Sequence, residues 1–338
     1  MATLKFIFMD AGQGDCTLIV HPDKSLVLVD CGCKKNKDIV YGEILTVLDR
    51  FLEKTDNNSL KALVLTHPDG DHYNLVESLI VNRDVPVETV YYGGKMGDYT
   101  GLKTWLKDHM DAVGFSQGHG NLSVVEGLSY KGKGPNDPNV DVRILSANAG
   151  DPNVKGDANP NSIVLLVTYV NLNFFLMGDS TELTEDAIRD NLGKELKKLT
   201  ANRRSILKVG HHGSKTSSSQ AWLEAVKPQI AFISSDTKTF RGVSLPRSEI
   251  VTRLFALNTL HEFGKPASHY YVQYNDATER HEQVNTTKGL FTNLHRLKFE
   301  DDDIEFEAFG TSWYYGTDQS ENIEIEPSCG WDNVKKAF

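Results

Sequence analysis

Three short apolar runs open the chain: residues 3 to 9 (TLKFIFM), 16 to 20 (CTLIV) and 26 to 30 (LVLVD), parted by Gly-Gln-Gly-Asp and His-Pro-Asp-Lys segments. Short β-branched runs bounded by turn chemistry predict strands. From Tyr41 to Leu52 the apolar residues Ile44, Leu45, Val47, Leu48, Phe51 and Leu52 recur at helical spacing, and Lys61 to Thr66 reads as a buried strand. Beyond it the pattern predicts a helix at Leu75 to Ile80, a strand at Val87 to Tyr92 and an amphipathic helix from Gly101 to Val113. Between Gly114 and Asn161, Gly, Asn, Asp and Pro dominate, which predicts a loop-heavy insert with two strands, Leu122 to Val125 and Val140 to Leu145. Ser162 to Tyr169 and Asn173 to Met177 form a predicted hairpin. Helices at 182 to 199, 219 to 226 and 248 to 260 then accompany strands at 206 to 209 and 229 to 234, so the second half repeats the logic of the first without a residue-level repeat. Past residue 268, HYYVQY, LFTNLHRL and IEFEAF are strand-like and lead into a polar tail. Strands alternating with helices make an α/β fold the expectation.

A chain of 338 residues buries a sizeable core without help from disulfides. Its four cysteines, Cys16, Cys31, Cys33 and Cys329, lack a paired zinc-binding spacing, and Cys31 and Cys33 are read as packing residues. The opening segment meets acidic residues after a few apolar ones and no apolar run approaches the roughly 20 residues of a spanning helix, so a cytoplasmic protein with no membrane partner is expected. A net charge of −10 argues against a general binder of duplex nucleic acid, although Arg203, Arg204 and Lys208 are candidates for a local basic rim.

The chemistry concentrates in THPDGDHYN, where a predicted strand finishes at Thr66 and His67, Asp69, Asp71 and His72 follow within six residues. Gly70 permits a tight turn that aims several donors at one point, and a divalent cation would offset the repulsion between Asp69 and Asp71. Further donors stand just past other predicted strands: Asp179 after FFLMG, and His211 with His212 after SILKVG. Strand ends are where α/β folds collect their sites.

These segments, together with DAGQGD at 10 to 15, LVDCG at 28 to 32, THPDGDH at 66 to 72, FLMGD at 175 to 179 and LKVGHHGSKTSSS at 207 to 219, resemble the metallo-β-lactamase fold superfamily. The order and spacing are most similar to its ComEC-like branch and to the phosphorylcholine esterases, over roughly residues 3 to 260. The resemblance implies a four-layer αβ/βα sandwich in a hydrolase domain over 1–265, with the C-terminal strands and tail of 266–338 completing it or appended to it. It implies a first metal site at Asp71, His72, Asp179 and one of His211 or His212, with Asp179 bridging to a second site served by His67 and Asp69. Asp30 is then an outer carboxylate that orients a ligand histidine. Asn161 and Ser162 lie behind the ligands, while Asp10 and Asp15 organise the nearby loop. His211, first off its strand, is chosen as the ligand; His212 is left as an acid/base residue beside Asp71 and Lys208 in the catalytic set.

Two departures from the family pattern carry weight. Asp69 stands where the family has a histidine, and Asn159 to Ser162 occupy a stretch that often supplies another. Carboxylate in place of imidazole hardens one site, which favours Mn²⁺ there beside a zinc-like first site, so the expected cofactor is Zn²⁺ and/or Mn²⁺, as one or two ions. Such a centre generates hydroxide near neutral pH. Lys208, Ser214 and Lys215 flank the ligand loop as candidate contacts to a phosphodiester or nucleotide substrate. The expected function is a metal-dependent phosphodiesterase or nuclease acting on nucleotide or single-stranded nucleic-acid phosphodiesters. The alternatives are hydrolysis of another ester (a phosphocholine ester, a cyclic nucleotide or a lactone) and a degenerate, non-catalytic binding member.

Overall fold

The computed structural model describes residues 3–34, 37–134, 136–153, 156–236, 242–262 and 269–292, together with four strand backbones between 304 and 337. Cys329 lies outside the described residues.

One sheet begins as an antiparallel meander of β1 (Thr3–Phe8), β2 (Thr17–Val20) and β3 (Leu26–Val29). It continues in parallel through β4 (Leu60–Leu65), β5 (Val87–Tyr92) and β6 (Ala112–Gly114). The second sheet repeats the plan. There β7 (Val140–Ser146), β8 (Val164–Tyr169) and β9 (Leu172–Leu176) are antiparallel, and β10 (Arg204–Lys208) and β11 (Ile230–Ile233) follow in parallel. A separate hairpin consists of β12 (His269–Asn275) and β13 (Arg280–Thr286). After it β14 (Leu290–Thr292) pairs beside β11 at the edge of the second sheet. The last strands, β15 (Ile304–Phe309), β16 (Ser312–Thr317), β17 (Asn322–Ile325) and β18 (Val334–Ala337), extend the first sheet outward from β1. The stretch 266–338 thus contributes to both sheets.

Alternation along β1 explains the layering. Leu4, Phe6 and Phe8 point one way into a core shared with the second sheet, while Ile7 points to the other face. Between the sheets Phe6 stacks on Phe174 at 3.9 Å and Phe8 on Phe232 at 4.5 Å. Such aromatic pairs add about 1 kcal/mol each beyond their buried area. Helix α1 (Lys37–Leu52) buries Val40, Ile44, Val47, Leu48, Phe51 and Leu52, a single stripe at 3.6-residue spacing, against the outer face of the first sheet. The short helices α2 (Gly70–Tyr73), α3 (Val76–Leu79) and α4 (Lys103–Asp108) complete that layer. On the outer face of the second sheet, α5 (Glu182–Thr200), α6 (Gln220–Val226) and α7 (Ser248–Ala256) bury Ile188, Leu196, Trp222, Leu223, Ile250 and Leu254. Helix, sheet, sheet, helix is the expected four-layer αβ/βα sandwich.

Three sequence expectations are corrected. The helix expected over 101–113 ends at Asp108, because Ala112–Gly114 instead adds a parallel edge strand to β5 and so satisfies its backbone there. The strand expected at 122–125 reduces to a single bridge from Val124 to Arg143. The last helix stops at Ala256 rather than 260, where Asn258 turns left-handed at φ 50°. No described helix is long and apolar enough to cross a membrane.

Candidate metal centre

Each group of candidate ligands follows the C-terminal end of a strand, and these ends meet along one edge of the sandwich: β3 delivers Asp30, β4 delivers His67 to His72, β9 delivers Asp179, and β10 delivers His211 and His212. Close backbone approach makes this possible. A Cβ on Gly14 would lie 2.2 Å from the Gly32 carbonyl oxygen, and one on Gly32 would lie 2.5 Å from the Asp71 carbonyl carbon. Only glycine fits at either place, and through this gap Asp15 N–H donates to the Asp71 carbonyl at 3.1 Å and Cys31 N–H to that of His72 at 2.7 Å. The glycines of the two N-terminal motifs therefore bring Asp15 and Asp30 up against the ligand turn.

Asp30, itself left-handed at φ 56°, accepts hydrogen bonds from Thr66 N at 2.7 Å, Thr66 Oγ1 at 2.7 Å and His72 Nδ1 at 2.8 Å. A proton on His72 Nδ1 directs Nε2 inward, where it stands 3.1 Å from Asp179 Oδ1. His212 is set the same way by a backbone carbonyl: Nδ1 donates to Ser234 O at 2.8 Å, and Nε2 lies 3.2 Å from Asp71 Oδ2 and 3.4 Å from Asp179 Oδ2.

Asp71, His72, Asp179 and His212, all buried, each offer one ligand atom within 4.8 Å of the others. Among the buried atoms lacking a hydrogen bond of acceptable geometry are Asp71 Oδ2, His72 Nε2, Asp179 Oδ1 and His212 Nε2. Four ligand atoms gathered in this way, three of them without any hydrogen bond and Asp71 Oδ2 in contact with the Lys34 ammonium, fit a cation. Nitrogen and oxygen ligands about 2.0–2.1 Å from one ion stand about 3.3 Å apart at tetrahedral angles, close to the 3.1 Å between His72 Nε2 and Asp179 Oδ1 and the 3.2 Å between His212 Nε2 and Asp71 Oδ2. Electrostatics demands positive charge at the same point. Burial lowers the His72 and His212 imidazoles, yet Asp179 outweighs it, together with Asp30 for His72 and Asp71 for His212; His72 stands well above its ordinary value and His212 reaches about 9. Burial likewise works to raise the carboxyls of Asp71 and Asp179, but the facing imidazoles hold both below the usual carboxylate range. A divalent ion meets that demand by displacing the imidazole protons.

Geometry gives His212 the place that sequence reasoning assigned to His211. Both residues are left-handed, at φ 50° and 47°, so the chain leaving β10 coils tightly and turns the second imidazole inward and the first toward the rim. His211 Nδ1 meets Thr216 Oγ1 at 2.8 Å, and its Nε2 lies 3.3 Å from Asn159 Nδ2 and 4.0 Å from Asp179 Oδ2. His67 Nε2 stands 3.9 Å from the same Asp179 oxygen and 3.8 Å from Asp69 Oδ2. Asp69 is half-exposed, and the facing His67 imidazole is the main cause that lowers its carboxyl pKa. His67, Asp69 and His211 thus flank Asp179 beyond the quartet.

The other expected residues fall behind or outside the centre. Ser162 Oγ accepts the Asp179 N–H at 3.2 Å, and the Asn161 carbonyl accepts the Asn148 N–H at 3.2 Å, so both brace loops behind the ligands. Lys208, expected among the catalytic groups, is buried with its ammonium bonded to Asp15, whose carboxylate lies 3.8 Å from Nδ1 of both His72 and His212. Its charge is neutralised beneath the centre instead of facing a substrate. Arg204 starts, just after Arg203, the strand that Lys208 ends, about 13 Å away at strand rise, so the two arginines do not join Lys208 in a rim. Ser214 Oγ lies 3.1 Å from Thr216 Oγ1, and Lys215 is engaged by Asp276 at 3.2 Å and Glu249 at 3.9 Å, so contact with substrate would require that ion pair to open. Sequence reasoning missed Thr66, Asn159 and Lys34, whose ammonium lies 2.7 Å from Asp71 Oδ2. Thr66 left a signal as the last strand residue before the cluster, and Asn159 as the start of the stretch where the family pattern often has a histidine.

Residues 9–236 match the family model described as the metallo-beta-lactamase superfamily. The chain belongs to the metallo-β-lactamase superfamily. Two curated relatives agree with the ComEC-like resemblance drawn from the motifs. ComE operon protein 3 of Bacillus subtilis (strain 168) is 27% identical over 239 residues, covering 67% of this chain and 28% of the relative. Recombination protein 2 of Haemophilus influenzae (strain ATCC 51907 / DSM 11121 / KW20 / Rd) is 29% identical over 234 residues, covering 67% of this chain and 24% of the relative. The chain therefore spans about a quarter of the length of these relatives. As a member of the superfamily it is a metallo-hydrolase by family, with a His/Asp cluster suited to a divalent ion.

Proposed function

We propose that this metallo-hydrolase cleaves phosphodiesters, acting on nucleotides or short single-stranded nucleic acid with one ion held by Asp71, His72, Asp179 and His212. The observation that carries the reading is the convergence of four buried ligand atoms from both sheets. When bound, a divalent ion supplies Lewis-acid polarisation and lowers the pKa of water toward neutrality. The protein's own part is orientation. Asp30 and Ser234 fix the two imidazoles, Ser162 fixes the Asp179 backbone, and the buried Asp15–Lys208 pair stiffens the floor. His211, partly exposed on the rim with burial lowering its pKa, is a neutral proton acceptor placed beside the cleft near pH 7. His67, Asp69 and Asp179 offer a second and weaker site whose added carboxylate favours Mn²⁺ over Zn²⁺.

Support for a nucleic-acid substrate comes from the Haemophilus relative, whose name refers to recombination. A net charge of −10 favours short or single-stranded forms over long duplex. The test is hydrolysis of bis-p-nitrophenyl phosphate with Mn²⁺ or Zn²⁺, followed by a single-stranded oligonucleotide, with Asp71→Ala as control. Metal-dependent turnover that the substitution abolishes is the expected result. Equal activity in parent and variant would rule out the quartet, and no activity in either would favour a binding role.

A further inference from the structure

Lys215 lies three residues past His212, so its Cα stands within about 11 Å of that of the ligand even along a fully extended chain. Its ammonium faces the turn of the β12–β13 hairpin, where Nζ stands 3.2 Å from Asp276 Oδ2. The other oxygen of that carboxylate, Oδ1, accepts a hydrogen bond from Arg247 Nη1. Two cations from separate segments thus grip one carboxylate at both oxygens, an arrangement that a phosphate group satisfies equally well. Glu249 lies farther from Lys215, at 3.9 Å, and is bonded to Arg253 one turn on in α7.

The frame around this carboxylate is built in. Arg247 N–H donates to Gly213 O at 3.0 Å, on the ligand loop itself, and its guanidinium lies 5.3 Å from the centre of the Tyr274 ring. The hairpin is anchored by Tyr274 N–H donating to Pro246 O at 2.6 Å, by His281 Nε2 donating to Leu245 O at 2.9 Å, and by Tyr271, which is buried in the core of the second sheet's outer layer. The carboxylate between the two cations is the weakly held part. Lys215 and Asp276 are each about half-exposed, and an ion pair that open to water is readily exchanged for another anion.

We propose that Lys215 and Arg247 form an anion subsite for a phosphate neighbouring the scissile one in a nucleic-acid strand, and that Asp276 occupies this subsite until substrate displaces its carboxylate. The inference rests on the reading of the centre as a phosphodiester hydrolase, and it narrows the substrate class. A strand with at least two phosphates engages both the centre and the clamp, whereas a single phosphodiester engages the centre alone. Exchanging one anion for another leaves the charge at the clamp balanced, so a neutral group has nothing to offer in place of Asp276.

The test is the affinity of the full chain, with Mn²⁺ present, for a fluorescein-labelled phosphorothioate tetrathymidylate, which keeps the backbone charge and resists hydrolysis. Fluorescence anisotropy across a salt series reads it. Asp276→Asn is expected to bind about two- to fivefold more tightly, while Glu279→Gln, an equal charge change at an exposed position of the same turn, is expected to leave affinity unchanged. Lys215→Met is expected to bind more weakly, with the slope of log affinity against log salt shallower by about one phosphate contact, and the double variant to lose most of the gain from Asp276→Asn. Unchanged affinity in Asp276→Asn overturns the inference, and so does an equal gain in Glu279→Gln, which would reduce the effect to general repulsion. Either result leaves the catalytic reading standing on hydrolysis of bis-p-nitrophenyl phosphate. Failure of the parent to bind the strand at all overturns the inference and the nucleic-acid substrate together.

Discussion

Asp30 adopts a left-handed backbone at φ 56°, and its carboxylate is shared between Thr66 and His72. Asparagine tolerates that backbone but can turn an amide N–H toward His72 Nδ1, so Asp30→Asn separates orientation from folding. Metal affinity should fall by about 10- to 100-fold with little change in the unfolding midpoint. Competition with a fluorescent chelator measures it. A second residue acts far from the centre. His21 is buried, with Nδ1 3.0 Å from Ser25 Oγ; burial first, and the charge of Lys61 next, lower its pKa to about 4, against a weaker upward pull from Asp23. Its folded pKa lies below the unfolded value of 6.5, so the folded state favours the neutral ring. The stability it contributes is full above pH 6.5, declines as pH falls toward 4 and is gone below that. The total is on the order of 3 kcal/mol. Urea denaturation between pH 7.5 and 4.5 should show a steeper loss in the parent than in His21→Gln, and parallel curves would contradict the assignment.

At the scale of elements, the segment joining β10 to α6 holds successive left-handed residues and carries the proposed ligand His212. His211 and His212 are both left-handed, a conformation costing on the order of 1 kcal/mol each in non-glycine residues. Glu185 on α5 offsets this from behind. It accepts the N–H groups of Ser218 at 2.5 Å and Ser219 at 2.9 Å, and Ser219 Oγ in turn caps α6 through Trp222 N at 3.2 Å. Glu185→Ala leaves two buried N–H groups unpaired and should cost about 2 kcal/mol or more, while Glu185→Gln keeps an acceptor and costs less. Chemical denaturation checks the order, and His212 on the same segment should bind metal more weakly in the alanine variant. Much of this architecture was legible beforehand. The 3.6-residue stripe of α1 and the strands at 87–92 and 140–145 follow from side-chain pattern. The inward turn of His212 was not legible, because it depends on two successive left-handed residues that the sequence marks only by Gly210 and Gly213 on either side. The helix expected over 101–113 was shortened by an edge pairing with β5 that no local pattern encodes.

At the scale of the whole molecule, the quartet joins the two sheets. Asp71 and His72 belong to the first sheet's layer, and Asp179 and His212 to the second. An ion bound there ties both halves of the sandwich, so saturating Zn²⁺ or Mn²⁺ should raise the unfolding free energy by about 4 kcal/mol at a thousandfold excess over Kd. Asp179→Ala should remove most of that gain, as read from thermal melts with and without metal. The clustering of candidate ligands past strand ends was readable from the sequence alone. Lys34 was not, nor was the pairing of Asn159 with His211, because both depend on the meeting of loops distant in the chain. The role of Lys208 was misread for a related reason: its partner Asp15 is 193 residues away. The claim tested most directly is that His212, rather than His211, completes the quartet. Equilibrium dialysis of Zn²⁺ against the parent, His212→Ala and His211→Ala decides it. Loss of an outer orienting group already costs about 10- to 100-fold in affinity, so removal of a ligand should cost more, and His212→Ala is predicted to lose the tight ion while His211→Ala retains it. Tight Zn²⁺ binding by His212→Ala at the parent's affinity would contradict the account.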